Sequence, residues 1–129
     1  KVTVTRTLVH DAANKMHYEF AYTVEAAATR NDFIDLFAET VIRHGKMPVK
    51  TCAAAMGVGV QQLQMTLLTL SGAGILEWMD AFAGAVSEAL LRQTDWKVMR
   101  IAAAAGFGRL NVFSRWFRAR YKCTPGEWR

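Results

Sequence analysis

The residues best suited to chemistry in this sequence are arginine and asparagine side chains near the C-terminus. Three apolar side chains in this region fall within roughly 60° of one another on a helical wheel: Leu110, Phe113 and Phe117. Asn111, Arg115 and Arg118 then point to the opposite side of the helix. An arginine can donate two parallel hydrogen bonds to guanine, and an asparagine can pair in the same bidentate way with adenine. This face is therefore suited to reading bases in a DNA major groove, and the competing interpretation is an ordinary solvated arginine face.

The positive charge of the chain is concentrated in the same region. The 129 residues carry 16 Lys and Arg against 11 Asp and Glu, which gives a formal net charge of +5. Residues 1–91 contribute seven basic and nine acidic side chains, whereas residues 92–129 contribute nine basic and two acidic ones. A basic segment interleaved with aromatic residues is typical of proteins that bind a polyanion such as nucleic acid. We expect five of its cations to contact phosphates: Lys97, Arg118, Arg120, Lys122 and Arg129.

No group of residues predicts catalysis or metal binding. The three histidines, His10, His17 and His44, have no ligand-like spacing, and none lies beside a serine or cysteine that it could activate. His10 and His17 could face each other across a hairpin, but two nitrogens make a poor metal site. The sequence therefore predicts a protein that is not an enzyme and that uses no cofactor and no metal.

Cysteine content and hydropathy predict a cytoplasmic protein. Cys52 and Cys123 are too few to staple a small fold, and no charged segment followed by an apolar one opens the sequence. Residues 51–76 carry no charge, but glutamines, glycines and threonines interrupt the apolar run that a membrane-spanning helix needs. We therefore expect no membrane partner.

The N-terminal residues alternate between apolar and polar side chains, and this period of two predicts β-strands. Turn formers, among them Asp11 and Asn14, separate two such runs, so residues 1–28 should hold one β-hairpin with an apolar face. A lone hairpin is marginal in water, so this face must pack on something. It could pack on the helix that follows, or it could pair with a second copy of the chain and make a homodimer.

The pattern becomes helical from residue 31 onwards. Asn31 can cap a helix whose apolar residues keep helical spacing until Gly45 and Pro48 end it. Beyond this point the sequence remains helical in pattern and is interrupted by glycines. The expected fold is therefore mainly α-helical.

An internal repeat is the most informative feature of the sequence. The letters AAAMGVG at residues 53–59 recur as AAAAGFG at residues 102–108, an offset of 49. Leu63 and Leu67 match two phenylalanines at an offset of 50, so one residue is inserted just after the glycines of the second copy. In each copy a short alanine-rich helix ends at a glycine, the chain turns, and a second helix follows. This is the layout of a helix-turn-helix unit, and the small alanines allow its helices to cross closely.

Residues 94–129 resemble the C-terminal signature of the AraC/XylS family of bacterial transcription regulators. The shared marks are Ile101-Ala102, Gly106-Phe107, Phe113-Ser114-Arg115, Phe117-Arg118, Pro125 and Glu127-Trp128-Arg129. The resemblance extends back to about Asn31. It implies a sequence-specific regulator with two helix-turn-helix units joined by a long helix, whose recognition helices enter successive major-groove segments of double-stranded DNA. By position, it implies DNA contacts from Arg109, Leu110, Asn111 and Arg115.

The first copy departs from the family pattern. Its expected recognition helix, residues 60–70, has no basic residue, and Met65 stands where the family usually has an arginine. Gln61 and Gln62 can still read adenine and are candidate base contacts. Without cations the phosphate anchoring of this unit should be weak, and exposed Met and Leu are typical of a protein-contact surface. RNA polymerase or another protein is therefore a candidate partner of this unit.

A second departure concerns the end of the second unit. Lys122 stands where the family favours a glycine, so either this lysine takes a left-handed backbone or the helix ends differently.

The complete expectation is a mainly α fold in which two helix-turn-helix subdomains, joined by a long linker helix, follow an N-terminal β-hairpin. The expected function is sequence-specific binding of double-stranded DNA, read mainly by the second recognition helix. The alternative is a degenerate helix-turn-helix module that binds protein and contacts DNA incidentally. The expected boundaries are 1–28 for the hairpin and 29–129 for the AraC-like domain, with the first unit at about 48–72, the linker helix at about 76–92 and the second unit at about 95–121.

Overall fold

The chain folds as a two-stranded hairpin followed by helices, and this confirms the predicted fold class. The computed structural model describes every residue except Asn14, Ala27, Ala28 and Arg30. The elements follow one another in this order: β1 (Val2–His10), β2 (Met16–Val24), α1 (Asp32–His44), α2 (Val49–Met56), α3 (Val60–Ser71), α4 (Ile75–Gln93), α5 (Val98–Ala104), α6 (Leu110–Tyr121) and α7 (Pro125–Trp128).

The turn of the hairpin is held by the side chain of Asp11. Its Oδ1 accepts the backbone N–H groups of Ala13 and Lys15, both at 2.9 Å. Such local bonds are the reason that aspartate favours turns. Asn14, the other expected turn former, lies outside the described residues.

The register of the hairpin separates the two histidines. In the antiparallel pairing His10 lies opposite Met16, and His17 lies opposite Val9. Opposed residues share a face of a sheet, while successive residues of a strand alternate between faces. The two imidazoles therefore lie on opposite faces, and the expectation that they face each other is wrong.

The hairpin packs its apolar face against α4 and against Trp96, which precedes α5, and not principally against α1. The partly buried side chains that join the core here are Val2, Val4, Phe20, Tyr22 and Val24. Tyr22 meets the Trp96 ring edge-on, with the ring centroids 5.9 Å apart. The far end of the same face is uncovered, and its large side chains are about half exposed: Leu8, Met16 and Tyr18.

Helix α1 begins and ends where the sequence predicts. The Asn31 side chain accepts the backbone N–H groups of Phe33 and Ile34 at 2.9 and 3.1 Å, so it is the N-cap. Gly45 ends the helix with a φ of 78°, and its N–H donates to the carbonyl of Val41.

The internal repeat of the sequence is also a repeat of structure. Helices α2 and α3 form the first unit, and α5 and α6 form the second. Helix α3 begins at Val60 after the N-cap Gly59, whereas α6 begins at Leu110 after the N-cap Arg109. Arg109 therefore takes the place of Gly59, and the extra residue of the second unit lies between Gly106 and Arg109. The fully buried side chains of the two second helices occupy equivalent positions: Leu63 and Leu67, Phe113 and Phe117.

The short helix α7 is an element that the sequence analysis did not predict. Thr124 and Glu127 form a capping box, in which each side chain accepts the other residue's backbone N–H at 3.1 Å. Trp128 packs edge-on against the ring of Phe117, with the centroids 6.3 Å apart. Threonine, proline at the first helical position and glutamate three residues after the cap are a readable helix-start signal, so this helix was predictable.

Two clusters of buried side chains form the core, and α4 contributes to both. Its first half gives Ile75 and Met79 to the cluster around α1 and the first unit. Its second half gives Val86, Leu90 and Leu91, among others, to the cluster around the second unit and the hairpin. The ring of Phe82 packs against both clusters. The linker helix is therefore the common support of the two units.

Candidate nucleic-acid interface

Helix α6 carries apolar and polar side chains on opposite sides, as its sequence predicts, except that Leu110, expected to face the core with Phe113 and Phe117, is 39% exposed. Its two phenylalanines are fully buried, whereas Asn111, Arg115 and Arg118 are exposed. Together with the exposed Lys122, which follows the helix, they have the spacing i, i+4, i+7 and i+11 and so form one line along the surface. We call Asn111, Arg115, Arg118 and Lys122 the α6 stripe.

The last member of the stripe has an unusual backbone. Lys122 has φ 65° and ψ 16°, the left-handed conformation, and it is the only residue other than glycine with a positive φ in the described part of the chain. Its Nζ donates to the carbonyl of Ala119 at 3.1 Å. Of the two possibilities that the sequence left open, the left-handed lysine is confirmed. Its equivalent in the first unit is Gly72, which has a φ of 75°.

The N-terminal end of α6 is open and positive. Arg109 and Leu110 are exposed there, and no side chain caps the first N–H groups of the helix. The first turn holds no acidic residue. The helix dipole therefore adds to the arginine charge at this end, which favours an anionic or hydrogen-bond-accepting partner.

The flank of α6 that faces the protein is held on α4 by two side-chain hydrogen bonds. Trp116 Nε1 donates to Asp80 Oδ1 at 3.1 Å, and the Tyr121 hydroxyl donates to Glu88 Oε2 at 3.0 Å. Gly84 lies between these two acids on α4, and a Cβ there would lie 2.8 Å from the Tyr121 hydroxyl. Burial raises the pKa of Tyr121, and the bond to Glu88 raises it further. These contacts fix the direction in which the α6 stripe points.

Arg120 lies on this protein-facing flank rather than in the α6 stripe. Its guanidinium lies 5.9 and 5.8 Å from the ring centroids of Trp116 and Tyr121, and a Cβ on Gly84 would lie 3.1 Å from its Nε. The two rings give this cation partners within the protein.

Arg129 also has partners within the protein. Its guanidinium donates to the carbonyl oxygens of Leu91 at 3.0 Å, Thr94 at 3.3 Å and Leu90 at 3.5 Å. These carbonyls lie at the C-terminal end of α4, where a cation also interacts favourably with the helix dipole. Arg129 therefore stabilises the end of the linker helix, a role that the sequence did not suggest. All five expected phosphate contacts are nevertheless exposed, Arg120 and Arg129 among them.

Helix α3 presents the same geometry with different chemistry. The positions equivalent to the α6 stripe are Gln61, Met65, Leu68 and Gly72, which we call the α3 stripe. Met65 and Leu68 are 60% and 52% exposed. Gln62, the other candidate base contact on this helix, is exposed as well. The first unit thus keeps an amide at the start of its stripe but carries no cation along it.

Several solved structures share the fold of this chain. The structure is similar to the C-terminal domain of the two-component response regulator yesN from Fusobacterium nucleatum, with a TM-score of 0.65 and 18% identity over 75% of this chain and 93% of that one. It is similar to the DNA-binding domain of AdpA, a global transcriptional factor solved with a target DNA, with a TM-score of 0.64 and 21% identity over 74% and 87%. It is also similar to a transcriptional regulator from Chromobacterium violaceum described as an AraC-type DNA-binding domain-containing protein. The TM-score is 0.59, and the identity is 21% over 74% of this chain and 87% of that one.

The family model described as a helix-turn-helix domain matches residues 52–129. The chain belongs to the AraC/XylS family. The identities to the solved structures are low, so these likenesses show the shared fold. A comparison with curated protein sequences finds no significant match.

The AraC-type match begins inside α2 and ends at the last residue, so it includes both second helices and the whole of α4. It leaves the hairpin and α1 outside. The sequence resemblance reaches further, to about Asn31, and α1 indeed packs on the first unit through Phe37 and Val41.

Other kinds of site find no support in this AraC-type domain. No group of three or more His, Cys, Asp and Glu side chains that could hold a metal occurs among the described residues. No helix that the structure describes is long and apolar enough to cross a membrane. Cys52 is fully buried, and burial raises the pKa of its thiol, which disfavours the reactive thiolate.

Proposed function

We propose that this chain is a sequence-specific DNA-binding domain of a transcription regulator that reads the major groove of double-stranded DNA mainly with α6. The observation that carries the proposal is the α6 stripe, an exposed line of one amide and three cations on a helix anchored in the core by its opposite side. Two hydrogen bonds to α4 hold the helix in one orientation, as a base-reading surface requires. The similar AdpA domain was solved in complex with a target DNA, which supports the same partner here.

The exposed residues of α6 divide into base readers and phosphate contacts. We assign base contacts to Arg109, Asn111 and Arg115, and an apolar contact with a thymine methyl group to Leu110. We assign phosphate contacts chiefly to Lys97, Arg118 and Lys122. Arg120 and Arg129 are exposed too, but to reach a phosphate Arg120 would leave two aromatic rings and Arg129 three carbonyl oxygens, so we expect them to contribute less. Lys122 would give up only its bond to the Ala119 carbonyl.

The first unit binds the same DNA more weakly in this proposal. Gln61 and Gln62 can each pair with adenine in the major groove. However, the α3 stripe has no cation to release counterions from the DNA backbone, and this release supplies much of the affinity of such proteins. We therefore expect two half-sites of unequal importance.

The test is a selection of random duplexes on the protein, followed by binding of the selected duplex at several salt concentrations. We expect a motif of two half-sites about one helical turn apart. Arg115→Ala should weaken specific binding by about 10-fold or more, as expected for a lost bidentate base contact of about 1–3 kcal/mol. Gln61→Ala should weaken it less, and equal losses in the two variants would contradict the dominance of α6.

A matched variant uses the internal repeat. Met65→Arg places in α3 the side chain that α6 carries at the equivalent position. If the first unit lies on DNA, the added cation should strengthen binding and steepen the salt dependence by up to about 0.9 in the log-log slope. An unchanged slope would show that α3 does not lie on the duplex.

A second candidate function, the binding of a protein through the first unit, rests on the exposed apolar side chains of α3. Met65, Leu68 and Leu70 are all exposed on a helix without charge, and such a patch is typical of a protein-contact surface. RNA polymerase or another protein would be the partner. This candidate predicts DNA binding that weakens with salt but selects no sequence, because incidental basic contact is independent of sequence.

Homodimer formation through the hairpin is a further proposal about partners. The uncovered end of its apolar face, at Leu8, Met16 and Tyr18, would be buried between two copies. Sedimentation velocity over a range of concentrations tests it. A monomer at all concentrations, with the same result for Leu8→Ser, would contradict it.

A further inference from the structure

We infer that Asp80 is a positioning residue that holds the two helix-turn-helix units in one fixed arrangement and thereby sets the half-site spacing that the protein accepts. The claim about half-site spacing rests on the proposed function, whereas the claim that Asp80 fixes the arrangement of the units does not. Asp80 lies on α4, between the two units, and the sequence analysis gave it no role.

One oxygen of Asp80 bonds both to the loop that precedes the first unit and to the recognition helix of the second. Its Oδ1 accepts Lys46 Nζ at 2.8 Å and Trp116 Nε1 at 3.1 Å. Lys46 belongs to the loop between α1 and α2, on the side of the first unit, and Trp116 belongs to α6. The carboxylate therefore connects the entry to the first unit with the recognition helix of the second.

This ion pair differs from an ordinary surface pair. The side chains of Lys46 and Asp80 are 21% and 34% exposed, whereas those of the Arg43–Glu39 pair within α1 are 68% and 64% exposed. Partial burial reduces screening by water and salt, and bonds with a charged partner are shorter and stronger than neutral ones. The Asp80 contacts therefore restrain the relative positions of their partners more strongly than the exposed pair does.

The backbone of the loop that precedes the first unit also touches the second unit. The N–H of Lys46 donates to the carbonyl of Ala105 at 3.3 Å. Gly45 and Gly106 approach so closely that a Cβ on Gly45 would lie 2.9 Å from the Cα of Gly106. The turn that ends α5 in the second unit thus packs against the loop that precedes the first. Lys46 takes part twice, through its backbone N–H at this contact and through its side chain at Asp80.

The connection is not part of the repeat. The residue of α3 equivalent to Trp116 is Thr66, which has no indole to donate. The apolar packing of Phe82 against both clusters also joins the units, but such packing has no preferred direction. Hydrogen bonds weaken steeply as their angle departs from linearity. The directional bonds at Asp80, together with the backbone bond from Lys46 to Ala105, are therefore the contacts expected to fix the angle between α3 and α6.

The functional consequence concerns the spacing of the two half-sites. One base pair added between them moves one half-site by about 3.4 Å and rotates it by about 35° around the DNA axis. A protein with a fixed arrangement must lose contacts to follow this change. Without the Asp80 bonds the two units can adjust, and the penalty for an altered spacing should fall.

The arrangement can be measured without DNA through spin labels on the two recognition helices. Thr69→Cys and Ala119→Cys place labels at exposed, equivalent positions of α3 and α6, in a background carrying Cys123→Ser. Pulsed electron spin resonance then gives the distribution of distances between the labels. We expect a narrow distribution for the parent protein, a broader or shifted one for Asp80→Ala and Lys46→Met, and an unchanged one for the control Arg43→Met.

The same variants are then tested on the selected operator and on operators with one base pair added or removed between the half-sites. We expect a penalty of about 10-fold or more for the parent protein and Arg43→Met, and of about 3-fold or less for Asp80→Ala and Lys46→Met. Should Asp80→Ala fail to fold, Asp80→Asn and Lys46→Met replace it, because they weaken the contact with little change in size.

Distance distributions of Asp80→Ala and Lys46→Met that match the parent's overturn the inference, as does an unchanged spacing penalty. Failure of the duplex selection would instead overturn the proposed function. In that case the label distances still decide the role of Asp80.

Discussion

The contact between Gly106 and the loop at Gly45 and Lys46 can be tested by comparing Gly106→Ala with Gly57→Ala, because Gly57 is the equivalent residue of the first unit. Both glycines have a positive φ, 100° and 73°, where an L-residue is strained by about 1–2 kcal/mol. At Gly57 no heavy atom of the described residues lies within 4 Å of an added Cβ outside its immediate surroundings, so this strain is the main cost. At Gly106 the added Cβ would overlap the amide nitrogen of Lys46 and lie 2.8 Å from its carbonyl oxygen.

The two substitutions should therefore differ severalfold in their effect on stability. Gly57→Ala should lower the free energy of unfolding by about 1–2 kcal/mol. Gly106→Ala must in addition push apart two backbone segments, which cannot turn away as the end of a flexible side chain can, and it breaks the Lys46–Ala105 hydrogen bond. We expect a total loss of more than about 4 kcal/mol, in the range that only severe core or backbone changes reach.

Urea unfolding followed by far-ultraviolet circular dichroism measures both losses. With a dependence on urea of about 2 kcal/mol per molar, the midpoint should fall by about 0.5–1 M for Gly57→Ala and by at least about 2 M for Gly106→Ala. Gly45→Ala approaches the same contact from the other side and should resemble Gly106→Ala. Equal shifts for Gly57→Ala and Gly106→Ala would refute the reasoning, because they would show that Gly106 does not touch the loop at Gly45 and Lys46.

Three further predictions concern the C-terminal part of the chain. Lys122→Gly should raise the free energy of unfolding by about 1 kcal/mol in urea titrations, because glycine adopts the left-handed backbone without strain, and a loss of stability would contradict this. The pKa of Glu127, measured by NMR titration, should lie below its ordinary value of 4.5, chiefly because the carboxylate accepts the Thr124 backbone N–H. Since the folded state lowers this pKa, the stability that it contributes is present above pH 4.5 and is lost as the pH falls through the folded value; a pKa at or above 4.5 would show that the capping box is absent. Arg129→Ala should lower the free energy of unfolding by about 1–3 kcal/mol while leaving the salt dependence of DNA binding near that of the parent, whereas Arg118→Ala should reduce the log-log slope by about 1. A slope change as large in Arg129→Ala would show that this residue contacts phosphate.

Features that depend on neighbouring residues could be predicted from the sequence. The alternation of the N-terminal residues predicts both strands, and the side chain of Asn31 forms the expected N-cap of α1. The repeat predicts both helix-turn-helix units and the one-residue insertion near the glycines of the second copy. Such features are readable because periodicity and capping act within a few residues of one another.

Features that depend on distant residues could not be predicted in the same way. Asp80 is 34 residues from Lys46 and 36 from Trp116, and nothing in its sequence neighbourhood marks it. Arg129 looks like a phosphate contact in the sequence because its charge is visible there, while the carbonyls that engage it, 35 to 39 residues earlier, are not. The packing of the hairpin on α4 could not be predicted for the same reason. Its apolar face fits several partners, and contacts with residues distant in the sequence select one.

The sharing of α4 between both core clusters has a consequence for how the protein opens. Because Met79 and Leu90 belong to different clusters but to one continuous helix, unwinding α4 exposes both clusters together. The slowest-exchanging amide protons of α3 and α6 should therefore report one and the same global opening reaction. A fragment ending at Ser71 would lack the α4 residues Ile75 and Met79 that complete its core, so we expect the first unit not to fold without α4.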